Sequence, residues 1–179
     1  MHRTETCFEG ACVRGPLPGD LVLSEIFYDG SGSDVAQEWF EFVNVSDDTI
    51  ALEGLEAISA SGLSFRFPAA DLAPGSIFLA AADGAPVGAA DLRFDDLSFN
   101  FPDSGGRVEL RWNGVAIDVV NVDEGAGWPD ALNAALQLDA ASVDADANNS
   151  SSAWCLATSV YDAGSGATGT PGAANDSCP

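Results

Sequence analysis

A chain of 179 residues, 46% hydrophobic and 19% charged, is long enough to bury one ordinary core and too apolar to stay unfolded. Its 28 acidic residues against 6 basic ones give a formal net charge of -22. The bases are all arginine and scattered, at Arg3, Arg14, Arg66, Arg93, Arg107 and Arg111, so the sequence offers no basic patch for nucleic acid or for an anionic membrane surface.

In chain order, the first 19 residues carry Cys7 and Cys12 and then the punctuation Gly15-Pro16-Leu17-Pro18-Gly19, which reads as a small disulfide loop and a linker. A single domain is expected over residues 20–179. From Asp20 the chain repeats one theme, a short run of β-branched, aliphatic and aromatic residues followed by a cluster of Gly, Pro, Asp, Asn or Ser. Strands are expected at Leu21 to Tyr28, Glu38 to Asn44, Thr49 to Leu52, Leu55 to Ala60, Ser64 to Phe67, Ser76 to Ala81, Arg107 to Trp112 and Ala116 to Val122. Strands this short and this regularly spaced indicate an all-β sandwich or barrel. The sharpest local signal is Asn113-Gly114 between two such runs, a pair suited to a type I′ hairpin turn. Residues 130–138 fit either a helix, from Asp130 ahead of alanines and leucines, or a strand, from the alternation of Leu136 and Leu138; a short turn followed by a strand is the expected outcome.

Ile77 to Ala82, the longest obvious apolar run, stops at Asp83, far short of the ~20 residues that cross a bilayer, so no membrane insertion is expected. Four cysteines fall as two pairs, Cys7 with Cys12 and Cys155 with Cys178. An even count at the chain ends reads as disulfides pinning the termini, hence as a secreted or cell-surface protein. Free thiols or a zinc site are the alternatives, and zinc is disfavoured because the spacing lacks paired C-x-x-C and the one histidine, His2, lies next to the start. No apolar signal region follows Met1 to Glu5, so the chain is expected to be a mature or excised segment of a longer exported protein. The acidic, lysine-free balance suits a high-salt or calcium-rich medium, or equally a codon bias.

Certain landmarks recur in a familiar order: Gly19-Asp20-Leu21-Val22-Leu23-Ser24-Glu25-Ile26, then Glu38-Trp39-Phe40-Glu41-Phe42-Val43-Asn44, then Gly54-Leu55, Leu72-Ala73-Pro74-Gly75 and Gly169-Thr170-Pro171-Gly172-Ala173-Ala174-Asn175. In these the chain resembles the lamin-tail domain, in the form appended to exported bacterial proteins, from about Asp20 to Asn175. The resemblance implies an immunoglobulin-like antiparallel β-sandwich without enzyme activity. It implies an interaction surface, as in animal lamins, or an adhesive or targeting module, as in bacterial copies beside nucleases, hydrolases and surface domains. The acidic balance here departs from any DNA-binding version, so nucleic acid is not an expected partner.

Catalytic residues are not expected. The one histidine, His2, lies beside the start and there is no lysine, so histidine-based triads, Ser-Lys dyads and Schiff-base chemistry are not expected. Paired carboxylates remain available, but Glu38 and Glu41, three apart on a strand, point to opposite faces and cannot close on one glycosidic bond; hydrogen bonds to backbone, or arginine pairing, are expected of them. No cofactor is expected, with calcium the one ligand to consider. Asp144-Ala145-Asp146-Ala147-Asn148 and Asp29-Gly30-Ser31-Gly32-Ser33-Asp34 space oxygen side chains two apart, as calcium loops do, though Asp and Asn also simply favour turns. Of the four tryptophans, Trp39 and Trp154 read as core, and Trp128, between Gly127 and Pro129, as an exposed ligand contact. The expected function is a monomeric, non-catalytic interaction, adhesion or spacer module of a larger secreted or surface protein, its partner a protein or a surface glycan. The alternative is a carbohydrate- or calcium-dependent binding module.

Overall fold

The computed structural model describes residues 6–8, 11–31, 36–95 and 97–179, with side chains from Val13 onward. The described residues form β1 (Thr6–Phe8), β2 (Ala11–Arg14), β3 (Leu21–Phe27), β4 (Trp39–Asn44), β5 (Thr49–Ala51), β6 (Leu55–Ser59), β7 (Ser64–Arg66) and β8 (Asp71–Leu72). They continue with β9 (Ile77–Ala82), β10 (Leu92–Phe94), β11 (Gly105–Trp112), β12 (Val115–Asp123), β13 (Leu136–Leu138), β14 (Trp154–Leu156), β15 (Val160–Asp162) and β16 (Ala167–Thr168). Their helical turns are short and of 3-10 type. The chain is all-β.

A six-stranded sheet in the order β10-β9-β4-β3-β13-β14 packs against a four-stranded sheet in the order β12-β11-β6-β7. Leu23, Phe40, Phe42 and Phe78 from the first meet Ala57, Val108, Leu110 and Val120 from the second in the main core. Strand alternation sends Trp39 to the opposite face, where it joins Phe27, Leu79, Ala81, Ala135, Ala157 and Ala167 in a second buried cluster. Both faces of the six-stranded sheet are therefore covered, which is why β3 is buried along its whole length and reads as a continuous apolar run rather than an alternating one.

Two further sheets complete the fold, β1-β2-β5-β8 and the ribbon β15-β16. Most pairings are antiparallel, but β2 with β5 and β9 with β10 are parallel, two departures from a purely antiparallel sandwich. The segment whose composition reads as a linker is docked. Pro16 is buried, the Gly19 amide donates to the Ile117 carbonyl at 2.9 Å, and the buried Arg14 pairs with Asp20 and, at 2.7 Å, with Asp48. Burying a guanidinium requires such partners, and they tie β2 to the loop entering β3 and to the approach to β5.

The eight expected strands all form, within one or two residues of their expected ends. Asn113 and Gly114 take φ of 49° and 80°, the left-handed pair of a type I′ turn, and join β11 to β12. Over residues 130–138 the helix alternative loses. Asn133 adopts φ of 57°, which ends any right-handed helix there, and β13 is captured between β3 and β14; tertiary pairing overrides alanine-rich propensity. The side chains of Cys7 and Cys12 lie outside the described residues, although their backbones stand opposite each other in the β1–β2 register.

An aromatic plug from the loop before β11 closes one end of the main core. Phe99, fully buried, has its ring centroid 5.4 Å from Phe40, 5.3 Å from Phe94 and 5.2 Å from Phe101. Phe99→Ala should cost roughly 3–5 kcal/mol through lost burial and the cavity left behind. Denaturant unfolding of the purified domain checks this; a loss below about 1 kcal/mol, the scale of an ordinary point substitution, would show that the loop does not close the core.

Candidate functional site

The most perturbed carboxyl groups lie on the outer face of the six-stranded sheet. Glu25 on β3 and Glu41 on β4 are direct partners in the strand register, and both are fully buried. An unpaired carboxylate there would be costly, and among the described residues no cation meets either one. Main-chain and hydroxyl donors do so instead. Glu25 accepts from the Thr170 amide at 2.9 Å and the Thr170 hydroxyl at 2.8 Å, and Glu41 accepts from the Gly172 amide at 2.8 Å and, at 3.4 Å, from the Ser24 hydroxyl. Burial pushes the Glu41 carboxyl up to about 9, with the Glu25 charge adding and the Gly172 and Ser24 bonds opposing. Burial also pushes Glu25 up to about 7 against the pull of the Thr170 bonds.

A β-bulge makes this arrangement possible. The β3–β4 register shifts between Leu23 and Glu25, leaving Ser24 without a ladder partner. Its carbonyl accepts from the Asn175 side-chain amide at 2.8 Å, and the same nitrogen reaches the Leu138 carbonyl at 2.8 Å. Thr170, Gly172 and Asn175 thus fasten the C-terminal tail across β4, β3 and β13, and the Cys155–Cys178 disulfide closes its far end onto β14. A small, mostly apolar cleft of about 240 Å³ remains beside it, lined by Ser24, Glu41, Val43, Ile77, Val143 and Asn175 among others.

A second polar cluster sits on the other side of the same bulge. Buried Asp118 accepts from the Leu23 amide, from the Asn148 side-chain amide and from the Val119 amide, each within 2.8 Å, and burial raises its carboxyl to about 6. Asn148, fully buried, also reaches the Leu23 carbonyl at 3.3 Å. These two side chains serve the main chain of β3 beyond Glu25, where its pairing with β13 stops. This is the use found for one of the two calcium-like segments: Asn148 points into the protein, while Asp144 accepts from the Asp146 and Ala147 amides at 2.9 and 3.1 Å, a turn-forming role. In the other segment, residues 32–35 lie outside the described residues. Among the described residues, no group of three or more His, Cys, Asp or Glu is placed to hold a metal ion.

Of the tryptophans, two take their expected places and Trp128 does not. Trp39 and Trp154 are core residues. Trp128 is half-buried and packs on Trp154, with ring centroids 5.8 Å apart. Trp112 instead forms a wall of an open cleft. Glu41 bonds backbone, as expected of it, but its partner carboxyl is Glu25, a residue that local spacing does not associate with it. A glutamate inside the apolar run Leu21 to Phe27 was the available signal, because a charge within a doubly covered strand must find specific donors.

Two measurements follow from the tail contacts. Glu25 and Glu41 titrate, at about 7 and about 9, above the ordinary 4.5, so the folded chain holds their protons more tightly than the unfolded chain does. The stability this confers is complete below pH ~4.5 and is lost as pH rises through both values, with Asp118 adding in the same direction lower down. The unfolding midpoint should therefore fall from about pH 5 to about pH 9, and Glu41→Gln should flatten the upper part of that fall; an unchanged slope in the variant would contradict the assignment. Cys178→Ser, opening a link between residues 23 apart, should lower unfolding free energy by roughly 2–4 kcal/mol in denaturant titrations.

Residues 16–124 match the family model of the lamin tail domain. A comparison with curated proteins finds no match to the chain. The matched family is immunoglobulin-like and generally non-catalytic, in keeping with the sandwich described above, and its match covers more than half of the chain, from the docked N-terminal segment through the β11–β12 hairpin. The chain belongs to the lamin tail domain family.

Proposed function

We propose that this domain is a non-catalytic interaction or spacer module of a larger exported protein, working outside the cytoplasm. One observation carries the reading: the carboxyl groups most altered by their surroundings, Glu25 and Glu41, have their oxygens engaged by Thr170, Gly172 and Ser24, so the chemistry that elsewhere marks an acid–base pair here holds the C-terminal tail. A sequence with no lysine and one histidine supplies few other bases or nucleophile activators.

The Cys155–Cys178 disulfide supports an oxidising location, since such bonds persist outside the cytosol. Among the described residues no helix is long and apolar enough to cross a membrane. The net charge of -22 supports a partner other than nucleic acid.

Purified domain assayed against ester, phosphodiester, glycoside and peptide substrates should give no turnover above buffer. Turnover that disappears in Glu41→Gln would overturn the reading. Duplex DNA at low salt should show no retarded band with the domain.

A further inference from the structure

Trp112, at the end of β11, is held in one orientation by main chain from three directions. Its indole N–H donates to the Glu53 carbonyl at 3.0 Å. Gly15 lies so close beneath the ring that a Cβ there would stand 2.3 Å from it, and Gly54, at φ of +82°, approaches the other edge, where a Cβ would lie 3.6 Å from the indole nitrogen. Two glycines thus make room for one indole, which remains half-exposed and forms a wall of an open cleft of about 490 Å³.

The polar groups around that wall are of one kind. Arg14 turns its guanidinium away to Asp20, Asp48 and the Gly15 carbonyl, and the indole N–H is already engaged. Glu53 and Asp71 are exposed, and among the described residues nothing hydrogen-bonds or pairs with their carboxylates. The cleft therefore presents a fixed aromatic surface and acceptors without free donors.

A complementary ligand must bring a flat apolar face and several donors. Anions are excluded by the two carboxylates and by the chain's net charge of -22. A simple cation would pair with solvent-screened carboxylates and leave most of the flat indole face uncovered. A sugar ring meets both demands, its C–H face on the indole and its hydroxyls donating to the carboxylates, and the cleft is within the usual size of small-ligand sites. We propose that this cleft is a carbohydrate-binding site in which a neutral sugar ring stacks on Trp112 and donates hydroxyl protons to Glu53 and Asp71. The site gives the interaction module proposed above its ligand class, and so rests on that reading.

The test is saturation-transfer NMR on the intact domain with short neutral oligosaccharides of glucose, mannose, galactose and N-acetylglucosamine, together with the indole N–H resonances. At least one sugar should show transfer and move the Trp112 resonance selectively. Glu53→Ala/Asp71→Ala, at two exposed positions, should weaken binding by roughly tenfold or more, the effect of losing two charge-assisted hydrogen bonds. Trp112→Leu should abolish it, and Trp128→Ala should leave it unchanged. No transfer from any sugar would overturn the proposal, as would binding that survives the double variant, or a strong salt-sensitive response to oligo-lysine in place of any sugar. A domain that binds no sugar yet still captures a protein partner without turnover leaves the module reading standing, whereas hydrolysis of a bound sugar refutes that reading itself.

Discussion

Glu25 and Glu41 sit side by side in a sheet that is covered on both faces, and that burial constrains the rest of the molecule. Leaving either carboxyl without donors would cost several kcal/mol, so a segment rich in free main-chain N–H groups has to lie over them. Thr170-Pro171-Gly172 is such a segment: Pro171 contributes no donor, and the amides on either side of it reach one glutamate each. Gly172, at φ of +77°, takes the left-handed turn that carries the chain on toward Asn175. The tail is thus part of the sheet's covering layer.

This dependence explains why the fold extends past the family match, which ends at residue 124. The larger sheet needs β13 and β14 beyond β3, and the second buried cluster needs Ala135, Ala157 and Ala167 beneath Trp39 and Phe27. Tyr161 closes the same pocket, its hydroxyl accepting from the Trp39 indole at 3.1 Å and its ring meeting Trp39 edge-on. Gly169 allows the approach, since a Cβ there would come within 2.8 Å of the Trp39 ring. The C-terminal third has little regular structure of its own and is ordered by what it covers.

Most strands were legible in the sequence because local pattern and tertiary fold agree there: an apolar run bounded by turn residues, and Asn113-Gly114 between two of them. What escaped a local reading depends on partners distant in the chain. β2 has no alternation to announce it, and besides its hairpin partner β1 it is held by a parallel pairing with the distant β5. β10 forms alongside β9, its Arg93 side chain bonding the carbonyls of Ala82, Ala85, Val87 and Gly88. The glutamate pair is a sharper case, because Glu25 and Glu41 each occur within a recognisable motif while their adjacency is a matter of strand register. The motifs Ser24-Glu25-Ile26 and Glu38 to Asn44, which fall within the family match, and Gly169 to Asn175, which lies beyond it, prove to be parts of one structural contact. Trp128, expected to be exposed, is half-buried against Trp154, because a loop position flanked by Gly and Pro says nothing of what packs against it.

The acidity also acquires a local physical cause. Asp95, Asp123, Asp130, Asp139, Asp144 and Asp162 each accept from a main-chain amide two residues onward, the short-range bonding by which aspartate initiates turns. A fold with this many short strands needs many such turns, and asparagine or serine could fill them without charge, so turn geometry accounts for the positions of these carboxylates and not for their sign. Glu25, Glu41 and Asp118 point the opposite way: burial raises each of them, which makes the charge carried near neutral pH smaller in magnitude than the formal count. What remains is an exposed negative surface that repels phosphate and other anions and, at a cleft walled by a rigid indole, leaves Glu53 and Asp71 unengaged among the described residues. Their availability follows from the same composition: six arginines, of which Arg14, Arg66, Arg107 and Arg111 are already paired with nearby acids, are too few to neutralise the rest.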